Sequence, residues 1–236
     1  MVCNYFESGA SVRERWSIVK RILLALLAVG CAAAGQAPAR GQRANVGEQT
    51  DYKKISDTAD ALELKEGSQV ADVGAGEGAY EEELSKRVGS TGRVYAVDID
   101  EKRAIPKLKT LVENKSLTNV TVVVGEPANP KLPDASLDAV LIVNAYHEMT
   151  AYKEILSHLR TALKPGGRLV VVDSLPLPGT ASSSRADQSR RHNLAADFAE
   201  AEFREAGLEI IERRDKFVLN KNGAPTRWMI IARNPQ

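Results

Sequence analysis

Five short runs of mostly β-branched residues punctuate the chain: Val70–Val73, Val94–Val97, Val120–Val124, Ala139–Val143 and Leu169–Val172. Runs this short and this continuously apolar suit strands buried on both faces. Between them lie segments with apolar residues at helical spacing, Tyr80–Val88, Ile105–Asn114 and Tyr152–Leu163. In the last of these, Ile155, Leu156, Leu159 and Leu163 share one face. Strand and helix in alternation require crossover connections, which are right-handed and build a parallel sheet covered by helices. A further helix is expected over Asp51–Leu64 and another over Ala195–Ala206, stopped at Gly207. Leu208–Arg213 and Thr226–Ala232 then close the chain as an antiparallel pair across the turn-rich Lys221–Pro225. The expected fold class is α/β: a doubly wound sheet of seven strands, mostly parallel with an antiparallel C-terminal strand, over residues 51–236.

The first strand runs into Gly74-Ala-Gly76-Glu-Gly78, and the second ends on Asp98. Alternating glycines let the backbone turn sharply and let a ligand approach where a Cβ would stand. An acid at the end of the next strand is placed to accept hydrogen bonds from ribose hydroxyls. That layout fits a nucleoside-bearing cofactor. Gly74-x-Gly76-x-x-Ala79 also satisfies a dinucleotide fingerprint, so a nicotinamide or flavin ligand has to be weighed. Asp72, two residues before the first glycine, speaks against a pyrophosphate, because like charges repel in a poorly solvated crevice. Beside an ammonium group the same carboxylate would be attractive. Its plainer role is to cap the following helix.

Taken together, these motifs resemble the class I S-adenosylmethionine-dependent methyltransferases, which have a Rossmann-like fold. The resemblance runs from about Asp51 to Arg233 and rests on five motifs in order. Val70–Gly78 is similar to the first and Val94–Asp100 to the second. Val120–Glu126 matches the third strand, Ser136–Asn144 the fourth, and Leu163–Asp173 the turn and fifth strand. The resemblance implies S-adenosylmethionine as cofactor, with Asp72, Gly74, Ala75, Gly76, Gly78, Asp98, Ile99, Glu126 and Asn144 as its contacts. Asp98 would meet the ribose, Ile99 the adenine ring and Glu126 the adenine amino group. Pro127 departs from the pattern, since it has no N–H to offer the ring; Ala128 is the substitute.

Catalysis is expected after the fourth strand, in Asn144-Ala-Tyr-His-Glu-Met149, with His147 and Tyr146 as the candidates. Ala145 and Tyr146 stand where amide- and adenine-methylating relatives carry prolines, which disfavours a planar exocyclic amine as acceptor. His147 can take a proton as the methyl transfers, or pack beneath the cofactor and bond only to backbone. His147-Glu148 is not read as a zinc motif, because Ala151 occupies the place of the second histidine. No metal is expected. Leu175–Ser184 is a Pro/Ser-rich loop leading to Arg185, Arg190, Arg191 and His192. The basic residues there can hold an anionic acceptor or form a solvated face, and His192 can face the site. The expected partner is a small-molecule acceptor.

Residues 1–50 read as a separate segment. Arg13, Arg15, Lys20 and Arg21 precede the apolar run Ile22–Ala34, which is shorter than the roughly 20 residues that span a bilayer as a helix. A basic flank, a short apolar core and small residues beyond it match an export signal. Leu27–Cys31 resembles a lipoprotein signal, with ordinary cleavage and an uncleaved anchor as the competing readings, so membrane attachment is possible through this segment. Cys3 and Cys31 are the only cysteines, leaving the body without a thiolate nucleophile. The chain is +1 overall, but residues 1–43 carry six basic and two acidic side chains, so the body is slightly acidic. A body of that sign lacks the basic footprint for nucleic acid. Export sits awkwardly with a cytosolic methyl donor, which keeps two alternatives in view: a binding protein reusing the fold and an NAD(P)-dependent oxidoreductase.

Overall fold

The computed structural model describes residues 54–236. The export-type segment, Cys31 and the linker lie outside the described residues. Among those described, no helix is long and apolar enough to cross a membrane.

A helix over 54–60 (α1) leads into β1 (Gln69–Val73). There follow α2 (Glu81–Val88), β2 (Arg93–Asp98), α3 (Ala104–Asn114), β3 (Val120–Val124) and β4 (Leu137–Val143). A single 3-10 turn, Tyr146–Glu148, precedes α4 (Tyr152–Ala162) and β5 (Leu163–Ser174). The chain ends with α5 (Arg185–Ser189), α6 (Ala196–Glu205), β6 (Glu209–Leu219) and β7 (Pro225–Arg233). The seven strands form one sheet in the order β3-β2-β1-β4-β5-β7-β6. All pairs from β3 to β5 are parallel, and β7 runs antiparallel to both of its neighbours. The order reverses between β1 and β4, so their carboxyl ends open a crevice at the switch point.

Period-2 alternation sorts side chains between two cores. Ala71, Val73, Val97 and Ile142 belong to the core beneath α4 and α6. Val70, Ala96, Leu141 and Leu84 belong to the other, beneath α1 and α2. On β7, Trp228 is fully buried and its Nε1–H donates to the Leu194 carbonyl at 2.7 Å, pinning the chain just before α6 to the sheet.

Three elements differ from the sequence expectation. β5 starts at Leu163 rather than Leu169, because Leu163 already pairs with Leu137, ahead of a register shift around the Lys164–Gly167 turn. β6 runs well past Arg213. Its edge position and charged residues Glu212, Arg213, Arg214, Asp215 and Lys216 erase any apolar alternation, while pairing with β7 supplies its order. The Pro/Ser-rich loop leads into a short helix, α5, capped by Ser184, whose hydroxyl accepts from the Asp187 N–H at 3.2 Å.

Candidate functional site

The carboxyl ends of β1, β2, β3 and β4 line a cleft of about 530 Å3 that reaches Gly74, Gly76, Asp98, Ile99, Glu126 and Asn144. That volume falls within the range of small-molecule sites. Its wall is acidic: Glu77, Asp98, Asp100, Glu126 and Glu148 face it against Arg103, with Lys107 and Lys131 pairing Glu77 and Glu126 from outside the lining. A cationic ligand suits this lining, and a dinucleotide pyrophosphate does not.

The glycine turn is built by close approach. The N–H groups of Gly74 and Ala75 both donate to the Val97 carbonyl, at 2.9 and 3.0 Å, tying the turn to the end of β2. Gly74 has φ +83°, and a Cβ there would lie 2.5 Å from the Cβ of Ala145. Gly76 has φ +58° with open space on its Cβ side, and its N–H donates to Asp98 Oδ2 at 2.8 Å. The Asp100 N–H donates to Asp98 Oδ1 at 2.9 Å. Both carboxylate oxygens are thus fixed by backbone, each with a lone pair left for a ligand hydroxyl. Ile99 is 56% exposed at the cleft mouth, unusual for a large aliphatic side chain and suited to cover a flat ring.

Asn144 adopts a left-handed φ of +52°, which asparagine tolerates, and its Oδ1 accepts from the Ser174 hydroxyl at 2.8 Å. Glu126 is exposed and paired with Lys131 at 2.7 Å. Pro127 lines the cleft; Ala128, the expected substitute donor, does not.

Three expected cofactor contacts, Asp72, Gly78 and Ala75, and one catalytic candidate, Tyr146, turn away from the cleft. Asp72 is 2% exposed and in register with Ala96 and Leu141, so alternation turns it to the sheet face opposite the cleft lining residue Val73. Gly78 serves packing: a Cβ there would meet Leu111 Cδ2 at 2.3 Å and Leu108 Cδ1 at 2.9 Å. Ala75 is buried and its side chain belongs to the α2 core. Tyr146 is fully buried, and its hydroxyl donates to Glu202 Oε2 at 2.6 Å. Burial and the Glu202 charge raise its pKa, so it is no proton carrier. Tyr146 instead ties the 3-10 turn to α6. Arg185 is likewise no solvated charge, since it pairs with Glu202 at 2.6 Å and lies 4.1 Å over the Tyr152 ring.

Asp72 faces Glu81, which is fully buried on α2. Burial, then the Glu81 charge, holds Asp72 well above its ordinary range. Burial pushes Glu81 from its ordinary 4.5 to about 7. A folded-state value above the unfolded one means that this contribution to stability is complete below about 4.5 and is lost as pH rises through about 7. Glu81→Gln is therefore expected to flatten the pH dependence of unfolding between those values, by on the order of 3 kcal/mol relative to the parent chain. Urea unfolding at pH 5 and pH 8 measures the difference; parallel profiles for the two proteins would refute it.

His147 is 1% exposed and doubly held by Asp173. Its backbone N–H donates to Asp173 Oδ2 at 2.8 Å, and Nδ1 lies 2.7 Å from Oδ1. Asp173 also accepts from the Ser174 N–H at 2.6 Å. Burial opposes charge on His147, but the hydrogen bond and charge of Asp173, then Glu148, outweigh it and raise its pKa. Nε2 lies 3.6 Å from Glu148 Oε1. Glu148, rather than His147, reaches the cleft. Sequence reading missed Asp173 and Gln188. Buried Gln188 donates to the Ala181 and Ser183 carbonyls at 2.9 and 3.0 Å, and accepts from the Ala195 N–H at 2.6 Å. It fixes the loop that delivers His192, and no local sequence pattern marks it.

Residues 70–167 match the family model described as a methyltransferase domain. The demethylmenaquinone methyltransferase of Staphylococcus saprophyticus is 33% identical over 114 residues, 48% of this chain and 47% of that protein. A probable cobalt-precorrin-6B C(15)-methyltransferase (decarboxylating) of Saccharolobus solfataricus is 32% identical over 111 residues, 47% and 54% respectively. The chain therefore spans about half the length of these curated relatives. A solved S-adenosylmethionine-dependent methyltransferase from Aquifex aeolicus shares the fold with a TM-score of 0.64 and 24% identity, covering 76% of this chain and 88% of that one. Residues 70–167 thus match a methyltransferase domain, and around them the chain shares the sheet fold of a solved S-adenosylmethionine-dependent methyltransferase.

Proposed function

We propose that the chain transfers a methyl group from S-adenosylmethionine to a small-molecule acceptor bearing an ionisable oxygen. The observation that carries this reading is the Asp98 carboxylate, set by two backbone N–H groups at the end of β2 and facing an acidic cleft. A ribose with both hydroxyls free fits that carboxylate, and a cationic ligand without phosphate fits the wall. A nicotinamide dinucleotide fits the glycines but meets five carboxylates and one arginine. The relatives named for quinone and corrin-type substrates support a small acceptor.

When bound, S-adenosylmethionine supplies an electrophilic methyl, whose transfer breaks the carbon–sulfur bond and leaves S-adenosylhomocysteine. Gly74 and Gly76 keep the cradle clear of side chains, Asp98 would hold the ribose, and Ile99 would cover the adenine. Glu126 sits at the same rim, and Asn144 closes the turn beneath. At the acceptor end, Glu148 and its partner His192, 3.0 Å away, take up the proton that the acceptor loses. His147, oriented by Asp173, backs them.

A screen of hydroxylated ring compounds, read by S-adenosylhomocysteine release, tests the reading. Acceptor-dependent release is the expected result. Glu148→Gln should lower kcat about a hundredfold with whichever acceptor turns over, while S-adenosylmethionine affinity measured by calorimetry, which rests mainly on Asp98 and the glycine turn, changes far less. Unchanged turnover in that variant would remove Glu148 from the chemistry.

A further inference from the structure

Three side chains from distant parts of the chain converge where the cleft meets the α5–α6 loop. His147 Nε2, a Glu148 carboxylate oxygen and a His192 ring nitrogen all lie within 4.8 Å of one another. Glu148 Oε1 is their hub, 3.6 Å from His147 Nε2 and 3.0 Å from His192 Nδ1. The two imidazoles meet edge to face, with centroids 5.8 Å apart.

The telling atom is His147 Nε2. It is buried and has no hydrogen-bond partner. A buried polar atom left without a partner costs folding free energy, and native structures carry few of them. The opposite ring nitrogen is committed to the Asp173 carboxylate at 2.7 Å, which takes the N–H and leaves the lone pair on Nε2. That is the tautomer a metal ligand needs, and a carboxylate behind the ring is the usual support for a ligating histidine.

We propose that His147, Glu148 and His192 bind a first-row divalent metal ion, with Asp173 orienting His147 and an open coordination position facing the cleft. Two histidines and one glutamate are a ligand set of catalytic zinc sites, which keep one position free. Bonds of about 2.1 Å in a tetrahedral arrangement place donor atoms about 3.4 Å apart. The observed separations of 3.6 and 3.0 Å bracket that spacing. His192 is 75% exposed, so its ring can turn toward the ion without disturbing the core. The histidine comes from 44 residues beyond Glu148, which is why the short-spacing zinc motif is missing while its donors are present.

Metal binding itself stands on these three side chains; only its use rests on the methyl-transfer reading. With the ion in place, an acceptor oxygen would fill the open position as an anion, its proton passing to solvent. The ion would then take over the proton-withdrawing task of the free Glu148–His192 pair.

The test is titration of the full chain, free of added cofactor, with Zn2+ by calorimetry and with Co2+ by visible absorption. One equivalent should bind to the site, with the d–d bands of Co2+ in a nitrogen–oxygen environment. His192→Ala and Glu148→Gln alter exposed side chains and should each weaken Zn2+ binding at least tenfold. Asp173→Asn, which alters no ligand of the ion and reaches it through His147, should weaken it roughly 10–100-fold. No binding to the parent chain, or unchanged affinity in the doubly substituted His192→Ala/Glu148→Gln chain, would overturn the proposal. The readout uses no methyl donor, so its failure leaves the methyl-transfer reading standing.

Discussion

Asp98→Ala is expected to weaken S-adenosylmethionine binding roughly a hundredfold, measured by calorimetry. Hydrogen bonds to a charged group contribute about 1.5 kcal/mol or more each. Two of them to ribose hydroxyls give about 3 kcal/mol, which is two decades of affinity. The substitution also releases the Gly76 and Asp100 N–H groups from the carboxylate, at 2.8 and 2.9 Å, so the cradle loses its brace as well as its ligand contact. Asp98→Asn keeps one acceptor oxygen and should lose about a tenfold share. Because Asp98 sits at a partly exposed strand end, where water can take up the released Gly76 and Asp100 N–H groups, thermal stability should fall only modestly, by a few °C. An unchanged affinity in the alanine variant would remove Asp98 from the ribose role.

The second large effect is on the fold at the same turn. Gly74→Ala places a methyl 2.5 Å from the Ala145 Cβ, on a backbone at φ +83°. The left-handed conformation costs about 1–2 kcal/mol for a residue with a Cβ, and overpacking between two fixed strand ends about 1–3 kcal/mol more. At about 2–4 °C per kcal/mol for a domain of this size, Tm should drop by roughly 5–15 °C. Gly76→Ala makes the contrast. Nothing lies within 4 Å of its added methyl, so only the strain at φ +58° acts on stability, while the methyl stands in the cleft and impairs binding. Equal melting temperatures for the parent chain and Gly74→Ala would show that β1 and β4 are not packed as described.

The sheet was legible because each buried strand carries its own apolar run and each glycine turn its own spacing. Val120–Val124 is identical in the sequence reading and in the structure. The edge strand β6 was only half legible, since its charged residues satisfy no alternation and pairing with β7 alone defines them. In the site, Asp98, Gly74 and Gly76 stood out because a strand end and a turn are local features. Asp72 misled for a physical reason: one residue along a strand reverses the face, and the sequence shows the acid without showing the buried Glu81 it meets. Tyr146 misled similarly, because its neighbour Glu202 is 56 residues away. The His147–Asp173 pair and the His192 approach are products of tertiary folding. No spacing rule joins residues in the 3-10 turn after β4, on β5 and in the α5–α6 loop.

The central claim is that this cleft takes S-adenosylmethionine. Calorimetric titration of the purified chain with S-adenosylmethionine, S-adenosylhomocysteine and NAD+ tests it most directly. Saturable binding of the first two at one equivalent, lost in Asp98→Ala, with no heat from NAD+, is the predicted result. Binding of NAD+ in their place, or no binding of either sulfur compound, would contradict it.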